Sequence, residues 1–369
     1  MKKPLALLAC LWSLFAVAAA QGQGTWSTAA LSEARSYPAA TSVGNYALFG
    51  GGGISGGYAQ RVDIFNASMG QWSTATLSQG RHWMAATSVG DYALFGGGIG
   101  ASGSSKAVDI FNASTGQWST ASLSQTRHQL AATSVGNYAL FGGGQGSNRV
   151  DIFNGSTGLW STASLSQARD SLAATSVGNY ALFGGGINAG NIYNTVDIFN
   201  TSTGLWATAA LSQARYNLAA TSVGNYALFG GGYDGNGYFS MVDIFDSSTG
   251  QWSTASLSQT RYELAATSVG DYALFGGGVD YSHGFAAIVD LFSSVTGQWS
   301  TASLSQARCN LAATSIGNYA LFGGGAGASN SNVVDIYTIP EPATLLLLAL
   351  GGAAALARRR KRSAECGVR

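Results

Sequence analysis

The chain contains little cysteine, little proline and little charge. Its 369 residues include three cysteines, four prolines and 9% charged residues. Two cysteines, Cys10 and Cys366, lie in the terminal segments, so Cys309 has no disulfide partner in the central part of the chain. We therefore expect a fold that is held by its core, and a large repeat domain buries enough apolar surface for this.

The central part of the chain is acidic. Between Gln21 and Pro342 there are 10 Lys and Arg residues against 16 Asp and Glu residues, a net charge of −6, whereas the full chain has a net charge of +1. The excess of positive charge thus belongs to the ends. An acidic domain without a basic stripe argues against nucleic-acid binding.

The N-terminal segment has the composition of an export signal. Lys2 and Lys3 precede an apolar run, and small residues follow it up to Ala20. This pattern predicts a secretory signal peptide over residues 1–20. A lipoprotein cleavage box at Cys10 is the weaker interpretation, because the apolar run continues well past that cysteine.

The C-terminal segment has three parts in a fixed order. The first part is a Pro-Glu-Pro triplet, Pro340, Glu341 and Pro342, and the second is an apolar run from Ala343 to Ala357. The third part is a basic cluster of Arg358, Arg359, Arg360, Lys361 and Arg362. This order resembles the PEP-CTERM sorting signal of bacterial envelope proteins, here over residues 339–362 with a tail at 363–369. The resemblance implies an exosortase-type sorting enzyme as partner and export to the envelope, outer surface or extracellular matrix. The alternative is a plain C-terminal transmembrane anchor, which also places the domain outside the cytoplasm.

The centre of the chain consists of seven copies of one unit. Seven tryptophans, from Trp26 to Trp299, are 42 to 47 residues apart, and each unit repeats the sequence YALFGGG with its flanks. Four short β-prone runs, such as "MAATSV", "YALF", "VDIF" and "WSTATL", alternate with glycine-rich or polar turns. A period in the forties with four strands predicts an all-β fold, a seven-bladed β-propeller over residues 25–338.

The ends of the repeat region predict how the ring closes. The region begins with a tryptophan strand, Thr25 to Leu31, and ends with a third strand, Val333 to Thr338. The N-terminal strand is therefore expected to complete the last blade, which leaves no free sheet edge. The residues Tyr138, Gly142, Gly143, Phe153 and Trp160, with their counterparts in other units, resemble the kelch repeat.

An arginine and an aspartate recur once in every unit. The arginines are Arg35, Arg81, Arg127, Arg169, Arg215, Arg261 and Arg308, and the aspartates are Asp63, Asp109, Asp151, Asp197, Asp243, Asp290 and Asp335. We expect the arginine to open the first strand of its blade and to pair across the glycines with the aspartate on the third strand. Residues repeated seven times are assigned to the scaffold.

Two regions of the unit vary, and both are expected on one face of the ring. They are the two positions after each arginine and the loop that follows FGGG. A varied face on a constant scaffold is typical of a binding surface. The candidate ligand-binding residues are Tyr37, His82, Trp83, His128, Asp170, Tyr216, Asn217, Tyr262, Glu263 and Asn310.

Aromatic, amide and carboxylate groups on this face suit sugar rings, so we predict an exported, non-catalytic scaffold that binds polysaccharide or a surface protein. These aromatics could instead only fill the channel mouth. The resemblance also allows a secreted sugar-active enzyme of the oxidase or epimerase type on the same face. His82 and His128 occupy equivalent positions but lack an evident third ligand, so no metal, cofactor or catalytic residue is predicted.

Overall fold

Seven four-stranded antiparallel sheets surround a central axis in the computed structural model, which describes residues 24–340. The innermost strands are Ala39–Val43, Ala85–Val89, Ala131–Val135, Ala173–Val177, Ala219–Val223, Ala265–Val269 and Ala312–Ile316. The second strands are Tyr46–Gly50, Tyr92–Gly96, Tyr138–Gly142, Tyr180–Gly184, Tyr226–Gly230, Tyr272–Gly276 and Tyr319–Gly323. The third strands are Arg61–Asn66, Ala107–Asn112, Arg149–Asn154, Thr195–Asn200, Met241–Asp246, Ile288–Ser293 and Val333–Thr338. The outer strands of blades 1 to 6 are Gln71–Thr76, Gln117–Ser122, Trp160–Ser164, Leu205–Ala210, Gln251–Ser256 and Trp299–Ser303.

The N-terminal strand closes the ring. Thr25–Ala30 pairs with Val333–Thr338 as the outer strand of blade 7. The innermost strand of each blade contacts those of both neighbours, and Ala39–Val43 of blade 1 contacts Ala312–Ile316 of blade 7. The predicted all-β propeller of seven blades, closed by its first strand, is therefore confirmed.

The four strands differ in burial as their sequences predict. The second and third strands are buried at nearly every residue, while the innermost strand alternates between buried and half-buried positions. In blade 3, for example, Leu140 lies opposite Ile152 in the ladder. Strands covered on both faces have continuous apolar runs, and here the neighbouring blades provide the cover.

The first glycine of each FGGG motif accommodates a phenylalanine of the next blade. A Cβ atom on Gly142 would lie 2.6 Å from Cε1 of Phe183, whose side chain is fully buried. The same contact joins every pair of adjacent blades, including Gly323 of blade 7 with Phe49 of blade 1. The motif therefore supplies both partners of the interface, the phenylalanine on one side and the space for it on the other.

The third glycine joins neighbouring blades through the backbone. Gly144 donates its N–H to the carbonyl of Arg169 at 2.9 Å, and all seven units repeat this bond. The residue has a φ of 92°, which glycine adopts without strain. The glycines thus position two blade–blade contacts, in addition to lying beside the arginine as the sequence suggested.

Each repeated arginine reaches the aspartate of its own blade. Arg35 Nη2 lies 2.5 Å from Asp63 Oδ2, and the corresponding distance is 2.7 Å for Arg215 with Asp243. The other five blades contain the same pair, and all seven arginine side chains are buried. The arginine lies in the loop before the innermost strand, four residues upstream of it in blade 1, so the expectation that it opens the strand is wrong.

The aspartate also fixes the loop that connects two blades. Its second oxygen accepts a hydrogen bond from the backbone N–H of the serine three residues before the arginine, at 2.8 Å from Ser124 to Asp151. The arginine in turn donates to main-chain carbonyls, such as those of Gly143 and Arg149, both at 2.7 Å. Each pair therefore joins the connecting loop, the second strand and the third strand of one blade.

Burial has a cost for the arginines. It lowers the pKa of Arg261 to about 10, because desolvation outweighs the support from Asp290. Within residues 24–340, the Nε atoms of all seven arginines have no hydrogen-bond partner. A buried ion pair by itself often adds little stability. The pairs therefore stabilise the fold mainly through the connecting loop and the two strands that they join.

The described residues contain no helix that is long and apolar enough to cross a membrane. The predicted signal peptide at residues 1–20 and the apolar segment from Ala343 to Ala357 lie outside the described residues. The same holds for Glu341, Pro342 and the basic cluster at residues 358–362.

Candidate functional site

The two variable regions lie on the same face of the ring. In six of the seven blades, the first residue after the arginine forms a β-bridge with the loop that follows the FGGG motif, as His82 does with Ile99 and Tyr216 with Tyr233. In four blades this loop is a short hairpin. The hairpins are Gly53–Ile54 with Gly57–Tyr58, Ile99–Gly100 with Gly103–Ser104, Ile187–Asn188 with Asn191–Ile192, and Val279–Asp280 with Gly284–Phe285.

The second residue after each arginine has a left-handed backbone conformation in every blade. These residues have φ angles between 51° and 55° and are Tyr37, Trp83, Gln129, Ser171, Asn217, Glu263 and Asn310. Such angles are uncommon for bulky residues and cost of order 1–3 kcal/mol each. Only the two asparagines give a sequence signal for this conformation, so the sequence did not predict it.

Hydrogen bonds between these residues offset part of that strain. The N–H of Asn217 donates to the carbonyl of Ser171 at 2.9 Å, and the N–H of Glu263 donates to the carbonyl of Asn217 at 3.0 Å. Six bonds of this type connect the seven blades in succession, including Tyr37 of blade 1 to Asn310 of blade 7 at 2.8 Å. They form a belt of backbone around the axis.

The belt encloses a pocket, here called the mouth pocket. Its volume is about 250 Å³, and its lining comes from all seven blades, so the pocket lies on the axis of the ring. The seven left-handed residues line it together with a more buried set, Pro38, Met84, Leu130, Leu172, Leu218, Leu264 and Leu311. The sequence analysis placed all seven left-handed residues on this face, but it named only Tyr37, Trp83, Asn217, Glu263 and Asn310 as candidate ligand-binding residues and not Gln129 or Ser171.

The polar lining differs between the two halves of the mouth pocket. Glu263 is the one charged side chain among the described lining residues. Burial raises its pKa above the usual range, against the hydrogen bonds that it shares with Asn310 and Cys309. Burial, with a contribution from the nearby Glu263, also raises the pKa of Tyr37. On the opposite half, the polar lining consists of the uncharged side chains of Gln129, Ser171 and Asn217.

Five rings form a first aromatic cluster beside the mouth pocket, on blades 1 to 3. We call it the Trp83 cluster, and its members are Tyr37, Tyr58, His82, Trp83 and His128. The imidazoles of His82 and His128 both stack on the indole of Trp83, with ring centres 4.3 and 5.7 Å apart from it. Burial and the neighbouring His128 lower the pKa of His82, which favours a neutral, stacking imidazole.

Five tyrosines form a second cluster on blades 5 and 6. This Tyr238 cluster comprises Tyr216, Tyr233, Tyr238, Tyr262 and Tyr281. Tyr238 stacks on Tyr233 at 4.9 Å and on Tyr262 at 5.3 Å, while Tyr281 is 78% exposed. Burial, reinforced by neighbouring hydroxyl and acidic groups, raises the pKa of Tyr262. The cluster therefore presents flat rings at the surface of this face.

The remaining predicted residues lie on the same face. Asp170 accepts a hydrogen bond from Ser171 Oγ at 3.1 Å, and burial raises the pKa of its carboxyl group. His128 Nδ1 lies 3.0 Å from Ser104 Oγ. Within residues 24–340 there is no group of three His, Cys, Asp or Glu side chains placed to hold a metal ion.

Comparison with known families identifies two parts of the chain. Residues 214–256 match the Kelch motif. The match covers the four strands of blade 5, from Ala219–Val223 to Gln251–Ser256, and the other six blades repeat its sequence pattern. The chain is thus a seven-bladed propeller of kelch-like repeats, and kelch propellers are typically binding scaffolds. No curated protein matches the chain.

The second match concerns the C-terminus. Residues 338–361 match the PEP-CTERM protein-sorting motif, which the sequence predicted over residues 339–362. This motif implies processing by an exosortase and export to the bacterial cell surface. The kelch-type propeller is therefore an exported domain.

Proposed function

We propose that this kelch-type propeller is a non-catalytic scaffold that binds polysaccharide at the cell envelope or in the extracellular matrix. The observation that carries the proposal is the pair of aromatic clusters on the varied face. The Trp83 cluster on blades 1 to 3 and the Tyr238 cluster on blades 5 and 6 lie on different sides of the axis, with the mouth pocket between them.

The chemistry of the two clusters fits a sugar chain. Flat aromatic rings pack on the C–H faces of pyranose rings, and the amide and hydroxyl groups between the clusters bind sugar hydroxyls. The rings are already stacked on one another, so a ligand would not have to order them on binding. An extended polymer could therefore contact one cluster, cross the mouth pocket and contact the other cluster.

The test is a binding assay with immobilised polysaccharides, including matrix polysaccharide from the native bacterium. Trp83→Asn removes the indole and keeps the backbone, because Asn217 and Asn310 already occupy the equivalent left-handed position. Tyr238→Ala removes the centre of the other cluster. Each variant is expected to weaken binding at least about tenfold, since burying a large apolar side chain contributes about 1.5–3 kcal/mol.

Met69→Ala is the matched control. Met69 is 64% exposed and lies in the turn between the third and outer strands of blade 1, on the face opposite the varied one. It is expected to bind like the unmodified protein. Binding to a surface protein but to no polysaccharide would overturn the proposal in favour of a protein-binding scaffold. Turnover of a bound sugar that is lost in His82→Ala would instead identify a sugar-active enzyme.

A further inference from the structure

The mouth pocket combines features that select for a particular sugar. Its volume of about 250 Å³ is below that of pockets for drug-sized ligands, so it has room for one sugar ring rather than for a longer segment. It is lined by one acidic side chain and, among the described residues, by no basic one. A neutral sugar forms no ion pair with a carboxylate, whereas a ligand that carries a cationic group does.

The acidic and aromatic groups occupy the same half of the pocket. Glu263 of blade 6 is followed around the ring by Asn310, Tyr37 and Trp83, of blades 7, 1 and 2. Tyr37 and Trp83 are in edge-to-face contact, with ring centres 5.4 Å apart. Glu263 is also close enough to Tyr37 to affect its ionisation. A carboxylate and an electron-rich ring in the same pocket are a typical environment for an ammonium group, which gains both ion pairing and cation–π attraction.

The other half of the pocket presents neutral hydrogen-bonding groups. Gln129, Ser171 and Asn217 belong to the successive blades 3, 4 and 5. Amide and hydroxyl groups of this kind donate to and accept from sugar hydroxyls. One half therefore suits a cation and the other half suits hydroxyl groups, and an amino sugar carries both.

We propose that the mouth pocket binds a single amino-sugar residue, with its ammonium group held by Glu263 and Tyr37 and its hydroxyl groups held by Gln129 and Asn217. This inference rests on the proposed polysaccharide function and specifies its ligand. The aromatic rings of the two clusters that lie outside the mouth pocket would contact neighbouring sugars of the chain whatever their charge, while the mouth pocket would provide the selectivity.

The test compares three β-1,4-linked oligomers of equal length that differ only at C2: glucosamine, N-acetylglucosamine and glucose. Isothermal titration calorimetry with the full-length protein is expected to show a preference of about tenfold or more for the glucosamine oligomer, as expected for a charge-assisted contact. Glu263→Gln is expected to reduce that preference to less than about threefold, with little change for the glucose oligomer.

The substitution is conservative for the fold, because Gln129 occupies the same left-handed position in blade 3. Asp91→Asn is the matched control: it removes one negative charge from an exposed turn on the opposite face, where five other blades have asparagine. It is expected to keep the full preference. Circular dichroism of both variants verifies that the sheets are intact.

The outcomes separate this inference from the proposed function. Equal affinity for the three oligomers, or a preference that survives Glu263→Gln, overturns the amino-sugar assignment and leaves polysaccharide binding intact. Absence of binding to all three oligomers and to native matrix polysaccharide overturns both. Binding of choline without binding of the glucosamine oligomer would assign the pocket to a small ammonium ligand and overturn the sugar assignment.

Discussion

Replacing Asp151 by asparagine tests what the buried arginine–aspartate pairs contribute. In blade 3 the carboxylate of Asp151 binds Arg127 with one oxygen and accepts the N–H of Ser124 with the other, at 2.8 Å. An asparagine can keep the bond from Ser124 through its Oδ1. Its amide nitrogen would then face Nη2 of Arg127, donor against donor, and the buried guanidinium would lose its counter-charge.

The expected loss is large because Arg127 cannot move into solvent. Its side chain is buried, and it donates hydrogen bonds to the carbonyls of Phe141, Gly143 and Arg149. Removing one partner of a buried pair typically costs about 3–5 kcal/mol, because the remaining charge is uncompensated. We expect Asp151→Asn to lower the free energy of unfolding by about 3 kcal/mol or more.

Urea denaturation followed by tryptophan fluorescence measures this loss, and Asp91→Asn should shift the free energy of unfolding by no more than about 0.5 kcal/mol. The double variant Arg127→Met with Asp151→Leu is a stricter test. Apolar replacement of a buried ion pair is often neutral or stabilising. Here it would leave the Ser124 N–H and the Gly143 carbonyl without these partners, and each lost hydrogen bond would cost about 1–3 kcal/mol of stability. A double variant as stable as the unmodified protein would refute the conclusion that the pair is needed to hold the connecting loop.

Three further predictions concern single sites. Gly142→Ala should destabilise the protein by about 1–3 kcal/mol in urea denaturation, because the new Cβ would overlap the buried ring of Phe183. The control Gly237→Ala should be nearly neutral, because the space around its Cβ is open. Cys309, whose pKa burial raises to about 12, should react with a thiol reagent at pH 8 far more slowly in the folded protein than in urea; equal rates would contradict this. Glu263→Gln should stabilise the protein at neutral pH and lose this advantage below pH 4.5. Burial raises the pKa of Glu263 in the folded protein, so the stability of the unmodified protein falls as the pH rises above the ordinary value of 4.5. Urea denaturation of both proteins between pH 4 and 8 measures the difference, and a pH-independent difference would contradict the reasoning.

Most of the fold could be read from the sequence because the repeat is nearly invariant. The spacing of Trp26 and its counterparts gives seven units, and the position of the first tryptophan strand gives the closure of the ring. Strands buried on both faces follow from the apolar run of YALF. What the sequence could not give was the neighbour of each residue in the next blade, so the contact of Phe183 with Gly142 appears only in the structure.

The sequence predicted the face on which the candidate site lies, but not the backbone conformation or the arrangement of its residues. Variation after each arginine identified the face, and Glu263 and Trp83 were identified on it. The left-handed conformation of Glu263, Trp83 and Tyr37 carries no sequence signal, because these residue types rarely adopt it. The separation of the pocket into an acidic, aromatic half and an amide half also depends on the order of blades around the axis.

The sequence by itself determined the number of blades, their strand order, the closing strand and the face that varies, because each follows from a pattern that recurs seven times along the chain. Only the tertiary structure decided which varied side chains meet. Tyr37 and Asn310 are far apart in sequence, yet a 2.8 Å backbone hydrogen bond joins them where the ring closes. Contacts of this kind arise from closing the ring around an axis, and no local pattern in one unit specifies the side chain that its neighbour contributes.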